Sequence, residues 1–370
     1  MLRATLASTL LAAALSQHPN LCPNQPADAW TQMRCPATAS CSKNGFSQAA
    51  GWGCCPWVNA TSCPSGYQCC PSGSTCNLIS GSGYSAVYTC DGGAAPQGTT
   101  SLCPCKPGAM APPSATLKNV LVIGDSLSIG YTPPLAANLS DVAQVVHAPW
   151  DVTDGGAEES QYLNQCLDYF LTSPSGLAWQ PDLIVFNSGM HNLGGPCTPG
   201  HGCVPGQSGA YTDYAAPMAA ATARLVAFAA ASGGKTKLLL ALTTPYLCNA
   251  ATDGVIAGVL NVNASSIAAA YGLPVLDPYT AIVNKCGRAP VQSCFGVRAG
   301  GGGRSADARG SLRLRVLPSR PSPPLLSPSL SPPCRLALQE TGCWCPHCPP
   351  GYKWLAETVF APKVRSMLAM

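Results

Sequence analysis

Four short apolar runs punctuate the chain after residue 117. They are residues 119–123 (NVLVI), 183–186 (LIVF), 237–242 (KLLLAL) and 274–276 (PVL). None shows the in-out alternation of a half-exposed strand, so each reads as a strand covered on both faces. VAQVV, just before His147, is a further candidate strand. Ala-rich stretches at 215–231 and 255–271 have helical composition, and residues 354–360 place Trp354, Leu355, Val359 and Phe360 on one helical stripe. Strands alternating with helices predict an α/β fold with a mainly parallel sheet. Active sites of such sheets lie at the carboxyl ends of the strands, so the residues following each run are the ones to inspect.

The first hundred residues follow no such pattern. Residues 4–15 form a short apolar segment behind Arg3, and Ala14 and Ser16 suit a cleavage site before Gln17, the layout of a secretory signal peptide. Residues 22–105 lack periodicity and hold 12 of the 22 cysteines, including the adjacent pairs Cys54-Cys55 and Cys69-Cys70. A segment this small buries too little apolar surface to fold unaided, so disulfides must constrain it. No histidine lies between Cys22 and Cys105, and an oxidising compartment favours disulfides over zinc. Neither a metal nor another cofactor is expected. Asn-x-Ser/Thr triplets at Asn59, Asn138 and Asn263 agree with secretion.

The reading therefore divides the chain into a signal peptide (1–16), a cysteine-rich module (17–105) and a linker (106–117). A main α/β part (118–294), a low-complexity insertion (295–342) and a closing segment (343–370) follow. The insertion is rich in Arg, Pro, Ser and Gly and lacks periodicity. It reads either as a disordered loop or as translated non-coding sequence, such as a retained intron.

Composition narrows the function. Only 10% of residues are charged, against a typical ~25%. The net charge of +4 is concentrated, since residues 298–335 hold seven Arg and one Asp. A nucleic-acid face would spread over a folded surface, so no nucleic-acid partner is expected. No apolar run reaches the ~18 residues needed to cross a bilayer, so no integral membrane segment is expected once the signal is removed.

The chemistry-bearing residues follow the strands. Gly124-Asp125-Ser126-Leu127-Ser128-Ile129-Gly130 succeeds the first, Asn187-Ser188-Gly189-Met190-His191-Asn192 the second and Thr243-Thr244-Pro245 the third, while His347 precedes Gly351-Tyr352-Lys353-Trp354. A serine on a strand-to-helix turn is presented at the lip of the sheet, beside backbone N–H groups and a positive helix end.

This ordered set, VLVIGDSLSIGY, VFNSGMHNL, TTP and a late His before GYKWLAE, resembles the SGNH/GDSL hydrolases over residues 118–294 and 346–366. The resemblance implies a three-layer α/β/α domain and a serine esterase working through an acyl-enzyme. Carried over, it makes Ser126 the nucleophile and His347 the base. The oxyanion would be held by the Ser126 N–H, by Gly155 or Gly156 in WDVTDGGAEES, and by His191 or Asn192, with bracing of the loop as the alternative role for the last two. Gly124, Asp125 and Gly189 support the motifs. Asp277 in VLDPY reads as a cap or brace. His191 stands where the family has Asn and Asn192 where it has Asp. Trp344 stands three residues before His347, where the family has Asp.

The implied substrate is an ester-bearing small molecule, lipid or glycan. Two other functions stay open: a polysaccharide O-acetyltransferase, and a secreted, catalytically degenerate binding protein. Upstream, CCPSGSTC and the spaced cysteines resemble granulin modules. That implies a stack of disulfide-linked hairpins that binds protein or carbohydrate, or else a spacer without a ligand.

Overall fold

The structure is a computed structural model. It describes residues 18–25, 27–43, 51–83, 86–96, 99–149, 156–193, 209–291, 293–295, 297–298 and 349–370. The signal peptide and nearly all of the 295–342 insertion lie outside these residues, as do Gly155, Trp344 and His347.

Five strands form one parallel sheet: β1 (Lys118–Ile123), β2 (Ala143–Ala148), β3 (Leu183–Phe186), β4 (Lys237–Ala241) and β5 (Val275–Leu276), in the order β2-β1-β3-β4-β5. β1 pairs with β2 from Lys118↔Ala143 to Ile123↔Ala148, and with β3 from Val120↔Leu183 to Ile123↔Phe186. The chain thus starts in the middle of the sheet and winds first one way, then the other. The crevice between β1 and β3, where the direction reverses, is where such sheets bind ligands.

Side chains of β1 alternate between two cores. Leu121 and Ile123 point to one, with Ile184, Phe186, Leu238 and Leu240. Val120 and Val122 point to the other, with Val185 and Leu239. The first core is covered by α2 (Ser160–Phe170), α3 (Ala215–Ala231) and the pair α4 (Ala250–Val255) and α5 (Asn261–Ala270), which a π turn at Ile256–Leu260 joins. The second is covered by α1 (Ser126–Asn138), α6 (Pro278–Cys286) and the C-terminal helices α7 (Pro349–Trp354) and α8 (Ala361–Ala369), which a π turn at Leu355–Phe360 joins. Burial on both faces explains the unbroken apolar strands and gives the three-layer α/β/α arrangement.

The C-terminal stripe is partly as expected. Leu355 and Phe360 are buried, with Ala356, Ala361, Val364 and Met367, while Trp354 and Val359 are half-buried. Phe360 stacks on Tyr131 of α1 with ring centres 4.1 Å apart. Asp277 caps α6, accepting the Thr280 N–H at 2.8 Å. Among the described residues, one helix, Tyr211–Ala231, is long and apolar enough to cross a membrane. Its Met218, Ala221 and Leu225 are buried in the first core.

The cysteine-rich region is a ladder of short antiparallel pairings. Asn20–Leu21 pairs with Arg34–Cys35, Ser40–Lys43 with Trp52–Cys55, Thr61–Ser62 with Cys69–Cys70, and Thr75–Ser80 with Val87–Asp91, which pairs in turn with Thr99–Thr100. Disulfides Cys22–Cys41, Cys35–Cys54, Cys55–Cys69, Cys63–Cys76 and Cys70–Cys90 staple it. Two trios of sulfurs, Cys22/Cys35/Cys41 and Cys63/Cys70/Cys76, are close enough to hold a metal. All six are consumed in disulfides, whereas zinc requires thiolates.

A sixth disulfide, Cys105–Cys166, joins the ladder to α2, and Cys286–Cys294 closes the short loop after α6. The stretch expected as a linker begins buried. Lys106 and Ala109 are covered, and a Cβ on Gly108 would overlap the carbonyls of Tyr169 and Thr172.

Candidate functional site

Ser126 is the first residue of α1 and is half-buried at the carboxyl end of β1. Its placement follows from the residue before it. Asp125 is fully buried, and its Oδ1 accepts the Leu127 N–H at 3.0 Å, capping the helix. Gly124 precedes it where space is short: a Cβ there would lie 2.7 Å from Ser128 Oγ. The capped helix sets its positive dipole end beside Ser126.

Burial raises the Asp125 pKa. The charge of His191 opposes that rise, and so do the backbone N–H groups of Leu127, Met190 and Ser128. His191 is thus close enough to feel the Asp125 carboxyl.

His191 lies half-exposed in a single 3-10 turn, Met190–Asn192, after β3. The turn is entered through Gly189 at φ +154°, where a Cβ would overlap Thr243 Oγ1. Asn187 donates its side-chain amide to the Ala241 carbonyl at 2.7 Å, and Thr243 Oγ1 donates to the Ser188 carbonyl at 3.2 Å. The ends of β3 and β4 are thereby fixed together.

Asn192 does something different. It is buried, its Oδ1 accepts the Ser160 N–H at 3.0 Å, and its Nδ2 donates to Ser160 Oγ at 3.2 Å. The amide is committed to the start of α2. The sequence reading left Asn192 either as an oxyanion donor or as a brace of the loop, and these bonds to Ser160 are those of a brace.

Gly156 is buried at φ +67° and bridges to Asp125, while the next N–H, of Ala157, donates to the Gly124 carbonyl at 2.8 Å. A Cβ on Gly156 would overlap that carbonyl, so glycine is needed on two counts. The strand-end motifs and the Gly156 loop thus meet at one mouth.

His147, near the end of β2, is buried. Its Nε2 and the Asp125 carbonyl each lie 2.6 Å from Ser128 Oγ, and its Nδ1 donates to the Pro149 carbonyl at 2.8 Å. Burial lowers its pKa to about 4. Both ring nitrogens are engaged, and His147 ties Ser128 of α1 to the end of β2.

The sequence reading missed a second buried feature. Lys106 reaches in from the end of the cysteine ladder, and its Nζ donates to the Gly156 carbonyl at 2.9 Å and pairs with Glu158 at 2.5 Å. Its only sequence signal is a charged residue between a cysteine and a proline, which also describes an ordinary solvated linker.

The hairpin ladder has a counterpart among known families. Residues 39–82 match the granulin family. The granulin match covers the pairings from Ser40 to Cys70 and the strand Thr75–Ser80, but not its partner Val87–Asp91. No curated protein matches the chain.

Among solved structures, the chain is similar to an acetyl xylan esterase, with TM-score 0.34 and 15% identity over 45% of this chain and 80% of that one. It is similar to the lipase/acylhydrolase from Enterococcus faecalis, with TM-score 0.31 and 16% identity over 45% and 80%. It is also similar to the esterase EstA from Pseudoalteromonas sp., with TM-score 0.28 and 10% identity over 46% and 81%.

Proposed function

We propose that this protein is a serine-dependent carboxylic ester hydrolase of the SGNH/GDSL type, acting outside the cell through an acyl-enzyme. The observation that carries the reading is Ser126 itself: a half-buried hydroxyl at a capped helix N-terminus, at the carboxyl end of the strand where the sheet reverses its winding.

An ester carbonyl docks with its carbon over Ser126 Oγ. The base, assigned to His347 of the C-terminal segment, takes the hydroxyl proton as the Oγ–C bond forms. The oxygen gains negative charge and is held by the N–H groups of Ser126 and of Gly156 or its neighbour Gly155, and by a ring N–H of His191. His347 then gives its proton to the departing alcohol, and the acyl group stays on Ser126. Water, deprotonated by the same imidazole, releases the acid and restores the serine. The helix dipole at Ser126 favours the negative intermediate.

Secretion is supported by the apolar N-terminal segment and by the seven disulfides among the described residues. The substrate class is an acetylated glycan or a lipid ester, and the cysteine-rich module binds protein or carbohydrate.

The departure at Trp344 favours a second reading, a binding protein without turnover. Treating the full chain with a fluorophosphonate separates the two: hydrolysis requires covalent labelling that Ser126→Ala abolishes, and a folded chain that stays unlabelled is a binder. Product analysis in water and with a sugar acceptor then distinguishes a hydrolase from an O-acetyltransferase, and short against long p-nitrophenyl esters define the acyl group.

A further inference from the structure

The Lys106–Glu158 pair is not used by the proposed chemistry, yet it lies directly behind it. Side chains of the pair are 1% and 4% exposed. An ion pair this deep is weak evidence for stability, because desolvating both charges offsets most of their attraction. Its geometry points to a different use.

Lys106 Nζ also donates to the Gly156 carbonyl at 2.9 Å. Its backbone N–H donates to Tyr162 Oη at 3.0 Å, and that hydroxyl donates to the Pro104 carbonyl at 2.8 Å. The ammonium sits 5.4 Å from the centre of the Tyr162 ring. One lysine therefore gathers both ends of the Gly156–Glu158 turn.

That turn is unusual. Gly156 is at φ +67° and Glu158 at φ +51°, a conformation seldom adopted by a residue with a side chain. The next residues are the bracing points described above. Glu159 caps α2, Ser160 meets Asn192, and Ser188 Oγ donates to the Glu158 carbonyl at 3.4 Å. The segment 156–160 touches both strand-end motifs.

Lys106 is held in its turn by the cysteine-rich region. Cys105 exchanges backbone hydrogen bonds with Cys54 at 2.9 and 2.8 Å, and its sulfur is bonded to Cys166 of α2. Lys106 is therefore clamped from both sides.

We propose that Lys106 is a positioning residue, through which the disulfide-stapled N-terminal module sets the backbone of the Gly156 turn and so aims an oxyanion N–H at the mouth of the sheet. This rests on the ester-hydrolase reading for its catalytic consequence, but not for its structural one. The module is then part of the catalytic machinery and not a spacer.

The test is the full chain carrying Lys106→Met with Glu158→Gln, which removes both charges together and leaves no buried charge unpaired. Two readouts are taken: amide hydrogen exchange across the structure, and p-nitrophenyl acetate hydrolysis per fluorophosphonate-titrated site. Exchange at residues 156–160 should quicken by about tenfold or more while β1, β3 and β4 stay protected, since a backbone segment freed of its anchors opens locally. Turnover should fall by about 10²-fold with KM nearly unchanged, the size of effect produced by ~1 Å misplacement of a catalytic group.

Native exchange at 156–160, or native turnover, overturns the proposal. A wild-type chain that neither hydrolyses nor labels removes the esterase reading alone, and the exchange measurement then decides the role of Lys106 by itself.

Discussion

The ring of Tyr352, in the C-terminal helix α7, closes directly on Gly130 of α1, and a Cβ at Gly130 would overlap ring atoms Cζ, Cε1 and Cε2. The contact joins the helix that presents Ser126 to the segment expected to bring the base. Glycine is needed here for space and not for its dihedral freedom. Gly130→Ala should push α7 away, costing about 1–3 kcal/mol, as overpacking commonly does. Turnover per folded molecule should fall as well, because His347 lies just upstream of the displaced helix. Thermal unfolding and p-nitrophenyl acetate hydrolysis measure the two effects.

His191 and Asn192 are neighbours with opposite fates, and substitution should separate them. Asn192→Ala strips the Ser160 N–H of its buried acceptor, and a buried donor left unsatisfied costs about 1–3 kcal/mol. Stability should drop, with little change in rate per folded molecule. His191→Ala removes a half-exposed ring. It should leave the melting temperature nearly unchanged and lower kcat by about 10²–10³, the usual consequence of losing an oxyanion donor. The reverse pattern would exchange their roles.

His147 sets an acid limit on stability. An unfolded imidazole titrates near 6.5, while burial holds the folded one down to about 4. Between these values the unfolded chain binds a proton that the folded chain does not, so stability falls as pH drops through that window and is flat above it. The difference corresponds to at most about 3 kcal/mol. Melting temperature followed from pH 7 to 4 should decline, and His147→Gln should flatten the decline. Equal slopes in the two proteins would assign the acid sensitivity elsewhere.

Much of the α/β architecture could be read in advance, for a physical reason. NVLVI, LIVF and KLLLAL are apolar throughout because both sheet faces are covered, and the structure places strands at Lys118–Ile123, Leu183–Phe186 and Lys237–Ala241. Helix Ala215–Ala231 has the expected bounds. The other expected helix starts earlier, at Ala250, where Asn249 accepts the N–H groups of Ala251 and Thr252.

Helix α2 carries a periodic signal that its composition hides. Tyr162, Leu163, Cys166, Leu167 and Phe170 recur at helical spacing, and all are buried. Cysteines and tyrosines diluted the apolar pattern. Lys106 was not legible at all, since a buried lysine makes sense only beside a glutamate 52 residues away. The same holds for Cys105–Cys166, because proximity in sequence says nothing about a bond spanning 61 residues. The placement of Ser126 on a strand-to-helix turn was legible because strand, turn and helix adjoin in the sequence. The base was placed by resemblance only, and His347 lies outside the described residues.

The central claim is that the Ser126 hydroxyl is an activated nucleophile. Its most direct test is to incubate the folded, full-length chain with a fluorophosphonate and map the modified peptide by mass spectrometry. The account predicts a stoichiometric adduct on Ser126, lost in Ser126→Ala and formed far more slowly in His347→Gln. A natively folded chain that acquires no adduct at Ser126, or an adduct that survives Ser126→Ala, would contradict it.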